Sequence, residues 1–279
     1  MVYFIPTPIG NLEDISHRSL KLLMRVSKIF CEDTRLTKKL LHLLEEKFQI
    51  QNHEKTYISF HSHNEDEVLK KIDIDQLKTQ DWAFVSDAGM PCISDPGAKL
   101  VQFCQKNQIP YEVYPGANAA LLAFVASGFL EASFTFFGFL PHKGKERQRR
   151  LEEILNHPHT SIIYESPHRI ELLAKELSLH EGQRKVFFLK EATKKHEKFF
   201  KCDLGEIYEL IKNTNQKGEW VVVLEKNPNP NPQTLLNVND VLDLDIKPKQ
   251  KAKLLSKITN KSSQEWYQKL SFDKKSQLN

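Results

Sequence analysis

Phe84-Val85-Ser86-Asp87-Ala88-Gly89-Met90-Pro91-Cys92-Ile93-Ser94-Asp95-Pro96-Gly97 is the stretch whose reading decides the fold. Trp82 to Val85 is apolar and strand-prone, and two turns follow at once. Asp87-Ala-Gly and Asp95-Pro-Gly each join a side chain that bonds nearby backbone N–H groups to a residue tolerant of positive φ. An ordinary strand-to-helix connection needs one turn, and one rich in turn formers is the plain alternative. Two turns directly after a buried strand fit a loop that meets a ligand. In open α/β sheets ligands sit in the crevice beyond the carboxyl ends of the strands.

Other loops repeat the pattern. Val2 to Ile5 is a short strand ended by Pro6-Thr-Pro-Ile-Gly-Asn11, where Gly10 allows a sharp bend or close approach. Asp14 or Ser16 is placed to cap a helix with an apolar face at Leu20, Leu22, Leu23 and Val26. Lys28 to Cys31 reads as a strand running into Glu32-Asp-Thr-Arg35, with a helix over Thr37 to Leu44. Tyr57 to Phe60 and Tyr111 to Tyr114 are further strands; the latter leads through Pro115-Gly-Ala-Asn118 into a small-residue helix, Ala119 to Ser127. Strands alternating with helices predict an α/β fold with a mainly parallel N-terminal sheet covered on both faces.

At Phe134-Thr-Phe-Phe-Gly-Phe-Leu140 the pattern changes, and a second α/β domain is expected. Strands at Ser161 to Tyr164, Val186 to Leu189 and Trp220 to Leu224 belong to it, with a helix at Leu204 to Ile211. Asn227-Pro-Asn-Pro-Asn-Pro232 can form neither helix nor ladder and reads as a linker. Three short helices are expected beyond it, in a small helical C-terminal module. The expected partition is 1–132, 133–226, a linker at 227–239, and a basic module at 240–279.

Net charge over the 279 residues is only +4, so the whole chain is no polycation. Ile246 to Asn279 holds nine Lys against Glu265 and Asp273, and this net +7 favours contact with a polyanion. Four scattered cysteines form no CxxC pair, which points to no metal site and to a reducing, cytoplasmic setting. No stretch approaches the ~20 apolar residues of a membrane span. No GxGxxG follows a strand, and GxxxxGK[ST], HExxH and GxSxG are absent, so oxidoreductase, P-loop, zincin and serine-hydrolase readings lose their usual support.

Pro6-Thr-Pro-Ile-Gly-Asn-Leu-Glu-Asp14, Cys31-Glu-Asp-Thr-Arg35, Ser86 to Gly97, Gly138-Phe-Leu-Pro141 and Tyr164-Glu-Ser-Pro-His-Arg169 together resemble one family. It is the bacterial small-subunit rRNA (cytidine-2′-O)-methyltransferases, of the tetrapyrrole-methylase-like class of S-adenosylmethionine (SAM) enzymes. The resemblance runs from about Val2 to Glu225 and extends to the Lys-rich end. It implies a two-domain tetrapyrrole-methylase-like fold, SAM between the domains, a homodimer, and methyl transfer to a ribose 2′-hydroxyl of small-subunit rRNA, preferably on the assembled 30S subunit. Met90 stands where Thr is usual, Cys92 where Gly is usual, and Lys190 where Arg is usual.

On this reading Pro6, Gly10, Asp87, Ala88, Gly89, Ile93 and Ala117 are candidate SAM contacts from one wall, and Tyr164, Glu165 and Pro167 from the other. Candidate bases are Glu32, Asp33, His63, Glu165 and His168, which sequence alone does not rank because geometry precedes pKa. Arg35, Lys143, Lys145, Arg147, Arg169, Lys249, Lys251 and Lys253 are candidate RNA contacts, and Lys194 and His196 are further candidates for phosphate. Most of these side chains serve equally well as caps, turn acceptors or surface ion-pair partners. Methylation of a tetrapyrrole ring and non-catalytic RNA binding stand as the alternative functions.

Overall fold

Period-two burial on both faces is what makes the first five strands a central sheet. Val2, Phe4, Phe30, Trp82 and Phe84 enter one apolar cluster, while Ile5, Ile29, Cys31, Ala83 and Val85 enter another on the opposite face. In the computed structural model, which describes residues 1–180, 184–228, 238–259 and 261–276, these strands are β1 (Val2–Phe4), β2 (Lys28–Cys31), β3 (Thr56–Ser59), β4 (Trp82–Val85) and β5 (Tyr111–Val113). Their order is β3-β2-β4-β1-β5 and every pairing is parallel. All five carboxyl ends therefore open on one edge.

The helices around this sheet are α1 (His17–Arg25), α2 (Thr34–Phe48), α3 (Glu65–Lys71), α4 (Ile74–Thr79), α5 (Ala98–Lys106) and α6 (Ala119–Ser127). Ser16, not Asp14, caps α1: its hydroxyl accepts from Ser19 N at 3.0 Å. The expected start of α2 at Thr37 is corrected to Thr34, because the Asp33 carboxylate accepts from Arg35 N at 2.8 Å and begins the helix earlier. Arg35 therefore lies in a helical turn and not in the strand-end loop.

The second sheet has β6 (Phe134–Phe139), β7 (Thr160–Glu165), β8 (Lys185–Lys190), β9 (Lys198–Asp203) and β10 (Trp220–Leu224), in the order β6-β7-β10-β8-β9. Only β6 and β7 are parallel; the rest pair antiparallel. β9 has no counterpart among the expected strands. It is an edge strand whose Lys198, Phe199 and Lys201 are exposed, so its apolar content is too thin to announce it. Helices α7 (Gly144–Leu155), α8 (Ile170–Ser178) and α9 (Ile207–Lys212) accompany this sheet, and residues of all three join the cluster on one of its faces. Ala120 and Ala123 of α6 pack into the cluster on its other face, together with Ile9 from the loop after β1. The small-residue helix thus ties the two sheets together within one compact unit, Met1–Pro228.

Asn229–Asn279 is a second unit. It holds α10 (Val238–Asp243), α11 (Pro248–Ile258) and α12 (Ser263–Ser276), with Val241, Ala252, Leu255 and Trp266 as its core. Ser262 and Glu265 form a reciprocal capping box, Ser262 N donating to Oε2 at 2.7 Å and Glu265 N to Oγ at 3.3 Å. The linker read at 227–239 falls largely outside the described residues. Among the described residues no helix is long and apolar enough to cross a membrane.

Candidate active site

The loops after β1 and β4 are laced together. Thr7 N donates to Gly89 O and Gly89 N to Thr7 O, both at 3.0 Å, and the Thr7 hydroxyl donates to Ser86 O at 3.3 Å. Gly89 has φ +82°, and a Cβ there would stand 3.0 Å from Ile9 Cγ2, so glycine is required on two counts. Gly10 is required for a different reason than ligand approach. A Cβ would meet Ala192 O and Thr193 Oγ1, each at 2.7 Å, so Gly10 lets the β1 loop press onto the loop after β8. Asn11 N donates to Thr193 Oγ1 at 3.1 Å in the same joint. Pro6 packs against Gly116.

A cleft of about 320 Å³ opens between the two sheets. One wall is the β4 loop, with Ala88, Gly89, Met90, Ile93, Ser94 and Asp95, joined by Asn118 and Ala119 where α6 begins. The other is Tyr164, Glu165, Ser166 and Pro167 at the end of β7, with Leu189, Trp220 and Val221 beneath. Of the candidate SAM contacts, Ala88, Gly89, Ile93, Tyr164, Glu165 and Pro167 line this cleft. Pro6, Gly10, Asp87 and Ala117 do not line it; they lie in the loops that shape it. Among the candidate bases only Glu165 lines the cleft; Glu32 and Asp33 lie at the end of β2, and His63 and His168 are exposed and do not line it.

Glu165 is sealed in. Its side chain is fully buried, Oε1 accepts from Arg169 Nη2 at 2.7 Å and Ser166 N at 2.8 Å, and Oε2 from Arg147 Nη1 at 3.4 Å. Arg147 also pairs with Glu176 at 2.7 Å and is 3 % exposed. Arg147 was expected on the RNA-facing surface and is corrected to an internal clamp: at its position on α7 the helix turns it toward the sheet. Arg169 donates as well to Leu140 O at 3.1 Å. Lys143 and Lys145 are exposed, as are Arg35, Lys249 and Lys253, whereas Lys251 is half-buried and donates to Leu242 O at 2.5 Å. Lys194 is held by Glu191 and Glu219, at 2.9 and 3.0 Å.

The carboxylates at the sheet edge differ sharply. Arg35 bonds Asp33 through its side chain and backbone and holds that carboxyl down at about 2. Burial, and then the charge of Asp87, pushes Glu32 up. Asp87 is raised by burial, although its Oδ1 accepts from Asp33 N at 3.1 Å. Asp95 is raised furthest, to about 7, by burial and then by Glu32, with the Ser86 hydroxyl opposing. Across the cleft, burial takes the Tyr164 hydroxyl up to about 12. Asp95, Ser94, Asn118, Phe139, Glu219 and Trp220 are lining residues that sequence reasoning passed over. Asp95 was in view only as a turn former, and nothing around Trp220 sets it apart from an ordinary strand residue.

The positive φ of Cys92 (+67°) and Ser94 (+65°) shows why glycine suits the first of these positions. Lys190, standing in place of the usual Arg, is buried, donates to Asn215 O and lies 5.5 Å from the Trp220 ring centre. It backs a residue of the cleft floor.

The sequence profile of the Tetrapyrrole (Corrin/Porphyrin) Methylases matches residues 1–208. The chain belongs to this family. Within it, the chain is 49 % identical over 270 residues to the ribosomal RNA small subunit methyltransferase I of Campylobacter fetus subsp. fetus, covering 97 % of this chain and 99 % of the relative. The protein of the same name from Helicobacter pylori J99 is 43 % identical, covering 99 % of both. In fold, the chain resembles the uroporphyrin-III C-methyltransferase of Thermus thermophilus, with TM-score 0.54 and 19 % identity over 80 % of this chain and 96 % of that one. The Thermus protein has also been solved with S-adenosylhomocysteine, at TM-score 0.53, 20 % identity and the same coverage. Family membership makes this chain a methyltransferase.

Proposed function

We propose that this chain transfers a methyl group from SAM to a cytidine ribose 2′-hydroxyl of small-subunit rRNA, in the cytoplasm and as a homodimer. The carrying observation is full-length similarity to relatives that bear the small-subunit rRNA methyltransferase name. The tetrapyrrole alternative has fold likeness behind it, and fold alone does not fix a substrate.

The cleft suits SAM chemically. Among its described lining residues there is no Lys, Arg or His, while Asp95, Glu165 and Glu219 supply carboxylate oxygens, those of Glu165 and Glu219 balanced by Arg147, Arg169 and Lys194 behind the wall. A ligand carrying a sulfonium and an ammonium fits such a wall, and apolar Ile9, Met90, Leu189 and Val221 offer an adenine a dry face. SAM, when bound, supplies an electrophilic methyl group. The chain supplies position: the laced β1 and β4 loops form one rigid wall, and Glu165, fixed by Arg147 and Arg169, anchors the other. Alignment of acceptor and methyl is the largest demand of such a displacement. Exposed Lys143 and Lys145 at the start of α7 offer a first phosphate contact, and Lys249 and Lys253 on α11 offer a second.

Leu121, Val125 and Phe199 form an exposed apolar face on α6 and β9, 48, 76 and 56 % exposed. An exposed patch of this kind supports a homodimer, which light scattering of the purified protein tests. Alkaline hydrolysis tests the product. A 2′-O-methyl blocks cleavage at its own nucleotide and a base methyl does not, so restoring this protein to a deletion strain should create one alkali-resistant position in small-subunit rRNA. Continued cleavage everywhere would remove the ribose assignment.

A further inference from the structure

We infer that Asp95 is the catalytic base that takes the proton from the acceptor hydroxyl during methyl transfer, an inference that rests on the function proposed above. The cleft wall carries four titratable side chains: Asp95, Tyr164, Glu165 and Glu219. Both Glu165 oxygens are engaged, Oε1 by Arg169 and Ser166 N and Oε2 by Arg147, so this carboxylate is committed to holding the wall together. Glu219 is 71 % exposed and paired with Lys194 at 3.0 Å. Tyr164 keeps its proton throughout the neutral range. Asp95 alone among these is a carboxylate with no ion pair within the described residues.

Its surroundings suit it to the task. The charges of Glu32, at the end of β2, and of Asp87, in its own loop, act on it, and its own charge acts on Cys92 and on Tyr164 of β7. Glu65 stands behind on α3, its Oε1 accepting from Gly97 N at 3.1 Å and its Oε2 lying 3.7 Å from Lys99. The nearest histidine influence, from His61, falls on Glu32. Burial among anions makes Asp95 a stronger base than an ordinary carboxylate, with a pKa of about 7 that matches neutral conditions. Asp33, at about 2 and committed to Arg35, is far weaker. The Ser86 hydroxyl donates to Gly89 O at 3.3 Å, and its dipole opposes the rise of the Asp95 pKa without cancelling it.

The step balances without any further reactant. Asp95 accepts the hydroxyl proton as the ribose oxygen forms its bond to the methyl carbon. The carbon–sulfur bond breaks, its electron pair stays on sulfur as a neutral thioether, and Asp95 later releases the proton to water.

The test compares wild type with Asp95→Asn and Asp95→Glu, using undermodified 30S subunits, calorimetry with S-adenosylhomocysteine, and carboxyl ¹³C NMR of the ligand-free protein. Wild-type log kcat should rise with pH to near neutrality and then level off. Asp95→Asn should lower kcat by about 10²–10⁴-fold and abolish the inflection, with S-adenosylhomocysteine affinity little changed. Asp95→Glu should regain part of the rate. A carboxyl resonance titrating near pH 7 should be present in wild type and absent from Asp95→Asn. The inference is overturned if Asp95→Asn keeps the wild-type kcat or pH inflection, or loses affinity and rate in equal proportion. Failure of wild type to methylate any subunit removes the proposed function and the inference with it, whereas wild-type transfer with an unimpaired Asp95→Asn removes the inference alone.

Discussion

Asp33, Asp87 and Asp95 follow strands at one edge of the sheet and behave as three different acids, because each meets a different neighbour. Asp33 has an arginine and two helix N–H groups, Asp87 a single N–H donor, and Asp95 burial among like charges. The last arrangement costs stability. Asp95 is raised to about 7 in the folded chain, above its value near 4 when unfolded, so between those limits the native state binds more protons. Stability therefore falls as pH climbs from about 4 to 7 and stays lower beyond. Urea unfolding should show Asp95→Asn more stable than wild type at pH 8, by on the order of 1–2 kcal/mol after solvent screening, and the difference should vanish near pH 4. Glu165 reports the opposite case. Glu165→Gln leaves Arg147 and Arg169 facing an uncharged group inside the protein, and the same measurement should register a loss of about 3–5 kcal/mol.

At the scale of elements, the joint between the β1 loop and the loop after β8 brings Ile9 and Ala192, both lining residues of the cleft, together. Gly10→Ala places a methyl 2.7 Å from the Ala192 carbonyl, and backbone cannot yield as a side-chain tip can. Denaturation should show a loss of about 1–3 kcal/mol, and calorimetry a weaker SAM affinity, although Gly10 itself is not a lining residue of the cleft. The importance of this glycine was legible in the sequence, but its reason was not. Pro6 to Asn11 announces a tight loop, while its partner Ala192-Thr193 lies in a run of lysines with no pattern of its own. The parallel sheet was legible for a simple cause: each strand is a short apolar run followed by a turn or a cap, and period-two alternation fills both faces. The Ser86–Gly97 loop was legible because turn formers are rare in such density. Arg147 was misread because a basic run looks uniform in sequence, whereas α7 buries that residue and leaves Lys145 and Arg149 outside. Asp95 was missed because a carboxylate before Pro-Gly serves a turn equally well, and only the fold shows the anions gathered around it.

For the whole molecule, charge is divided unevenly along the chain. Ile246 to Asn279 carries +7 where the full chain carries +4, so residues before it are slightly acidic, in keeping with a cleft lined by carboxylates. The basic unit has its own core at Val241, Ala252, Leu255 and Trp266, and Met1–Pro228 is a compact unit by itself. On α11, exposed Lys249, Lys253 and Lys257 have no carboxylate partner among the described residues, and such charges give affinity for phosphate without reading sequence. A chain ended after Pro228 should fold and bind SAM with nearly unchanged affinity while binding small-subunit rRNA more weakly. The salt dependence distinguishes an electrostatic role from a mere loss of contacts. Each lysine–phosphate contact removed should flatten the slope of log affinity against log salt by about 0.7–0.9. Filter binding from 50 to 200 mM salt, with intact and shortened protein in parallel, measures that slope. An unchanged slope in a folded, shortened chain would assign the RNA contacts to the first unit, where Lys143 and Lys145 are the exposed candidates, and leave the basic helices with another task.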